Sequence, residues 1–185
     1  MYLYISFLSP YFGQLGWSEG LKGWFFAVFS ITGIVAAPII GTLSDKIGRF
    51  RLILFGLVME IVALTGYLLI TNVTGLFFIR ILSAIAFNAV TITALSRIND
   101  TVHSNTNRAR QTGAFQSILS IAAILSPLIG GWIADNLGYE EVFLTALLIM
   151  VLVLLSLMVY DLWFYRDREQ AHRKREKLLQ RDLNP

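Results

Sequence analysis

Two long apolar runs joined by a short charged segment constrain this chain more than any other feature. Trp24 to Leu43 has no charge in twenty residues, and Leu52 to Ile70 has only Glu60. About 20 apolar residues cross the hydrocarbon core as a helix, and helices satisfy their own backbone there, so both runs read as membrane spans. Between them a tight turn, Gly41-Thr42-Leu43-Ser44-Asp45-Lys46-Ile47-Gly48-Arg49-Phe50-Arg51, carries one acid and three bases. Composition points the same way. Hydrophobic residues make up 56% of the chain, charged residues 15%, and the mean hydropathy is +0.65. A soluble domain of 185 residues lacks the interior to hide that much apolar surface. The absence of cysteine excludes disulfides and thiolate metal sites.

The other spans follow from the same criterion. Met1 to Gly13 is apolar and aromatic, with Pro10 inside it. Thirteen helical residues rise about 20 Å against a core of about 30 Å, so a first span lacking its initial residues is expected. A signal peptide would begin with basic residues, and this stretch does not. Further spans are expected at 76–95, 114–134 and 142–160, giving a six-span bundle over 1–163 and a charged tail over 164–185. The fold class is therefore an all-α polytopic membrane protein.

Basic residues set the orientation. Lys46, Arg49 and Arg51 follow the second span, Arg97, Arg108 and Arg110 lie between the fourth and fifth, and seven more follow the sixth. The other side carries Lys22 among Glu19, Asp135, Glu140 and Glu141. Cytoplasmic loops collect Lys and Arg, which places both termini in the cytoplasm and suggests the plasma membrane. Asn72-Val73-Thr74 has the form of a glycosylation site but lies hard against the membrane. The tail, with Glu169 four residues before Arg173, reads as a helix or a disordered strand near anionic lipid.

The chain also repeats itself. Shifted by ninety residues, Gly23, Phe25, Ser30, Ile31, Ile34, Ile39, Gly41, Asp45 and Gly48 meet Gly113, Phe115, Ser120, Ile121, Ile124, Ile129, Gly131, Asp135 and Gly138. An offset of three spans is odd, so the second copy is expected upside down in the bilayer. Inverted three-span repeats are a recurrent way of building secondary transporters.

Two ionisable residues stand inside spans. Arg80 lies about 7 Å below the outer end of the fourth span by helical rise. A lone Arg in hydrocarbon costs at least about 2.5 kcal/mol, so it either faces the bundle interior or snorkels to the interface. Glu60 lies about 13 Å from the inner end of the third span. An intramembrane carboxylate points to proton or substrate handling; the alternatives are a structural acid satisfied by a neighbouring helix and an acid facing a partner chain. The two depths differ, which argues against a direct Arg80–Glu60 pair. Asn88 and Gln116 are further polar residues able to reach a cavity. In the fifth span, Pro127 removes a backbone donor, while Gly130 and Gly131 permit close helix contact.

The turn resembles the signature between the second and third helices of the major facilitator superfamily. Gly41, Asp45, Lys46, Gly48, Arg49 and Arg51 fit that signature, and Phe50 stands where a base is common. Arg80-Ile81-Leu82-Ser83-Ala84 is similar to the family's fourth-span motif, with Ser83 and Ala84 where glutamine and glycine are usual. Ser126-Pro127-Leu128-Ile129-Gly130-Gly131 resembles the motif associated with antiporters, with Ser126 replacing its first glycine. The sugar porters' proline-glutamate motif has no counterpart in Tyr160-Asp161-Leu162-Trp163.

The resemblance implies the N-terminal half of a secondary transporter that works by alternating access. It implies a role for Asp45 in gating and for Arg80 in proton coupling. Proton-coupled antiport is the favoured expectation; a uniporter, a symporter or a non-transporting scaffold or receptor-like module is the alternative. The expected partners are a small-molecule substrate, protons, the lipid bilayer, and either a second six-helix half or a second copy of the chain. No enzyme constellation, cofactor motif or nucleic-acid motif appears, and His103 and His172 are solitary, so no metal site is expected.

Overall fold

The computed structural model describes residues 2–100 and 105–183; His103 lies outside them. Six helices follow one another: α1 (Tyr2–Gln14), α2 (Glu19–Ile47), α3 (Arg49–Leu69), α4 (Val73–Asp100), α5 (Asn105–Asn136) and α6 (Tyr139–Leu183). The expectation of six spans is met by six helices, of which α2 to α6 include stretches long and apolar enough to cross a membrane. The helix starts have local causes. Ser18 accepts a hydrogen bond from Leu21 N at 3.3 Å, and Asn72 Oδ1 accepts one from Gly75 N at 2.6 Å. Asn72 thus caps α4. The α2–α3 and α5–α6 connections contain Gly48 (φ 99°) and Gly138 (φ 112°), conformations that strain any residue with a Cβ.

Residues 1–150 and 151–185 form two compact units. The second is the C-terminal part of α6, so the charged tail continues as helix through Leu183. In the first unit, one core draws on all six helices. From α1 it takes Tyr4, Leu8 and Phe12, spaced four apart and fully buried; around them lie Phe25, Leu64, Tyr67, Leu76, Ile133, Val142 and Phe143. Four-residue spacing puts the α1 side chains on one stripe. Phe12 stacks on Trp17 at 4.3 Å between ring centres. α1 is therefore the centre of the packing despite its length.

Small residues bring the helices close. A Cβ on Gly56 of α3 would stand 3.0 Å from Ala89 Cβ and 3.1 Å from the Ala86 carbonyl oxygen of α4. Gly130 of α5 packs on Phe7 and on the Leu3 carbonyl of α1, which is the close contact its glycine permits. By contrast, α2 and α5 leave Ile31, Ile34, Ile39, Ile121, Ile124 and Ile129 exposed. An apolar face of that extent suits lipid or a partner, not water.

Candidate functional site

The charged signature is helical almost throughout. Gly41 to Ile47 form the last turns of α2, Gly48 alone breaks the backbone, and Arg49 to Arg51 begin α3. The expected tight turn is thus a one-residue joint. Four-residue spacing across it lets Arg49 Nη2 reach Asp45 Oδ1 at 3.3 Å. Arg49 Nε also reaches Asp100 Oδ2 at 2.6 Å. Asp100 ends α4, so one guanidinium joins three helices. The last turn of α4 supplies a second contact, with the Arg97 guanidinium 5.3 Å from the centre of the Phe50 ring. The aromatic at the departing position therefore serves as a platform for a cation. Lys46 and Arg51 are exposed, and a Cβ on Gly41 would meet nothing within 4 Å.

Arg80 does not snorkel. It is 2% exposed, and its guanidinium carbon lies 5.1, 5.2 and 4.3 Å from the ring centres of Phe25, Phe26 and Phe29 on α2. A desolvated cation over an aromatic face gains about 2 kcal/mol, which offsets much of the cost of burial. Among the described residues, Nε and Nη1 have no hydrogen-bond partner.

Glu60, also 2% exposed, is met by two hydroxyls. Tyr4 Oη of α1 donates to its Oε1 at 2.6 Å, and Ser83 Oγ of α4 lies 3.1 Å from its Oε2. Tyr4 Oη and Ser83 Oγ are themselves 2.8 Å apart. No Arg80–Glu60 ion pair occurs among the described residues, although the two lie within about a helical turn in depth. Instead Ser83, three residues after Arg80 and on the same face of α4, reaches the carboxylate. Glu60 also borders a cavity of about 200 Å³ whose walls include Leu57, Ala86, Val90, Leu119 and Met150.

The remaining candidates stand apart from this cluster. Asn88 is half-buried, donates to the Ala84 carbonyl at 2.8 Å and faces Gly33 of α2. Gln116 is exposed on α5. Pro127 lies within α5, which continues past it. Tyr4, Asp100 and the role of Ser83 were not evident from the sequence. Two signals pointed that way: Glu60 required donors, and Ser83 broke the family motif beside the arginine.

The class these features define is a polytopic helical membrane bundle with a charged one-residue joint and two buried ionisable groups. The chain belongs to the Major Facilitator Superfamily, which it matches over residues 1–182. It is therefore not of an enzyme family. It is 32% identical over 195 aligned positions to the "Multidrug resistance protein MdtG" of Dickeya zeae, covering 98% of this chain and 44% of that protein. It is 30% identical over 158 positions to the "Tetracycline resistance protein, class H" of Pasteurella multocida, covering 83% and 36%. It is 30% identical over 131 positions to the "Multidrug transporter protein MdtP" of Bacillus subtilis, covering 71% and 24%. The chain thus spans between a quarter and a half of these relatives' lengths.

Proposed function

We propose that this chain is the N-terminal six-helix half of a proton-coupled efflux antiporter that moves a small molecule by alternating access. The observation that carries the reading is the burial of Arg80 and Glu60, each 2% exposed, inside a bundle of apolar helices. Ionisable groups at such depth are expensive, and they are retained where protons or charged solutes pass. The names of the relatives, which concern multidrug and tetracycline resistance, support export as the direction. The second wall of the cavity comes from another six-helix half, with a second copy of this chain as the alternative. The Arg49 network and Asp45 act as the gate, because they join α2, α3 and α4 at one end of the bundle. The distribution of bases supports cytoplasmic termini and a plasma-membrane location.

The test is transport by the full-length protein in inside-out vesicles, with a fluorescent lipophilic cation as probe. Accumulation driven by an imposed inward-acid gradient and abolished by a protonophore is expected. Gradient-independent equilibration would replace antiport with uniport. No transport of any member of a chemically varied panel would favour the scaffold.

A further inference from the structure

We propose that Tyr4, Ser83 and Glu60 form a clasp that ties α1 to α3 and α4 while Glu60 carries a proton and opens when the proton leaves. The argument is a count of hydrogens. The three shortest oxygen–oxygen contacts close a ring: Tyr4 Oη to Glu60 Oε1 at 2.6 Å, Glu60 Oε2 to Ser83 Oγ at 3.1 Å, and Ser83 Oγ to Tyr4 Oη at 2.8 Å; a longer contact of 3.4 Å runs from Ser83 Oγ to Glu60 Oε1. A protonated carboxyl brings the number of hydrogens to three. Glu60 then donates through Oε2 to Ser83, Ser83 donates to Tyr4, and Tyr4 donates to Glu60 Oε1, so each group donates once and accepts once. With the carboxylate ionised, two hydrogens serve three contacts, and one pair of oxygens is left facing without a hydrogen. In a dry interior an unmade contact of this kind is costly.

The ionised state has another partner within the fold. Arg80 is one helical turn from Ser83 on α4, and its Nε and Nη1 are buried with no partner among the described residues. A carboxylate that turns toward those donors exchanges two hydroxyls for a charge-assisted pair and frees Tyr4. Among the described residues, the ionisable groups near Glu60 are Tyr4 from α1, Arg80 from α4 and Tyr67 from its own helix, with the Ser83 hydroxyl beside them. Lys22 of α2 is held by Glu19 at 2.7 Å. The neighbours from α5 and α6 are the apolar Leu119 and Met150. Among the described residues Tyr4 supplies the polar link from α1 to α3 and α4, while Leu8 and Phe12 belong to the apolar core. Proton release therefore loosens α1 specifically. The clasp rests on the transport reading only in giving the proton's departure a use.

Two measurements on the full-length protein in liposomes test it. Infrared difference spectra should show a neutral carboxylic acid band that is lost on alkalinisation and absent in Glu60→Gln. Tyr4→Phe, which keeps the ring packing, should move that band to higher frequency because the carbonyl loses its donor. The second measurement places spin labels through L15C and L69C, at exposed positions beyond α1 and at the end of α3, with any cysteine outside residues 1–185 replaced by serine. Distances should be narrow at low pH and broad at high pH in the otherwise native chain. They should be narrow at every pH in Glu60→Gln, whose amide can both donate and accept, and broad at every pH in Tyr4→Phe. A band unmoved by Tyr4→Phe, or distances unchanged over the pH range in which the band disappears, would overturn the clasp. Failure of proton-driven uptake with both readouts as expected would overturn antiport and leave the clasp standing.

Discussion

Residues 23–48 and 113–138 share nine of twenty-six identities and end in the same backbone device, yet their charges differ. Gly48 and Gly138 both take a positive φ, and α3 and α6 both begin one residue later. Ile31, Ile34 and Ile39 are exposed, and so are Ile121, Ile124 and Ile129. The retained isoleucines therefore mark surfaces turned to lipid or a partner, while the retained glycines mark the joints. After the joint the copies diverge: Arg49, Phe50 and Arg51 correspond to Tyr139, Glu140 and Glu141. Asp45 has Arg49 and, through it, Asp100; Asp135 has no ion pair among the described residues. Deeper in the bundle, Glu60 corresponds to Met150, and both border one cavity. Backbone geometry is thus repeated, while among these aligned positions the joint ion pair and the buried carboxylate occur in the first copy.

The largest effect is expected at the buried cation, which α4 of the second copy sets against Phe25, Phe26 and Phe29 of the first. Arg80→Ala should abolish proton-driven uptake while leaving downhill exchange measurable in vesicles. Arg80→Lys, which keeps charge but loses the planar fork over three rings, should shift the pH profile of transport. Unchanged profiles in both variants would show that the cation only packs.

Next in size is the contrast between the two aligned acids. Asp45→Asn should lower turnover by about tenfold or more, equivalent to about 1.4 kcal/mol, at normal expression. Asp135→Asn should change it by less than about twofold, because no ion pair is lost. Equal effects on turnover would mean that the second joint works as a gate too.

The backbone device should instead respond equally in both copies. Gly48→Ala and Gly138→Ala each force a Cβ into a strained conformation, at a cost of about 1–3 kcal/mol. Thermal unfolding in detergent micelles should show similar losses for the two, and a loss in one alone would break the equivalence of the joints. The smallest effect is expected at the aligned pair Gly41 and Gly131. A Cβ at Gly41 meets nothing within 4 Å, and at Gly131 it meets only Phe7 at 3.8 Å. Alanine at either should alter stability by no more than about 1 kcal/mol in the same unfolding assay. A transport defect in Gly41→Ala at normal stability would assign that glycine to gating.

Most of the fold was legible along the chain because its causes are local. Apolar runs of span length and the ninety-residue repeat each depend on neighbouring residues or a fixed offset, whereas Asn72 as a cap and Gly48 and Gly138 as joints emerged with the backbone. The same reasoning found Arg80 and Glu60, since a charge in an apolar run stands out whatever it touches. The Asp45–Arg49 contact was not read, because the stretch was taken as a tight turn and its four-residue spacing counts only when the helix face continues through it.

What only the tertiary structure decided is which helix each polar group faces. Helices apolar all round have no polar face to show their rotation, so periodicity left open whether Arg80 pointed inward or snorkelled. Its burial against Phe25, Phe26 and Phe29 depends on how α4 is turned toward α2. The Tyr4–Glu60 bond joins residues 56 apart, and the Tyr4–Ser83 contact residues 79 apart. Asp100 reaches Arg49 only because α4 ends beside the start of α3. These meetings require the depth and rotation of three packed helices together. Sequence spacing determines neighbours within one helix; contacts between helices are decided by close packing of small residues such as Gly56 and Gly130, which sets how near and at what angle the helices lie.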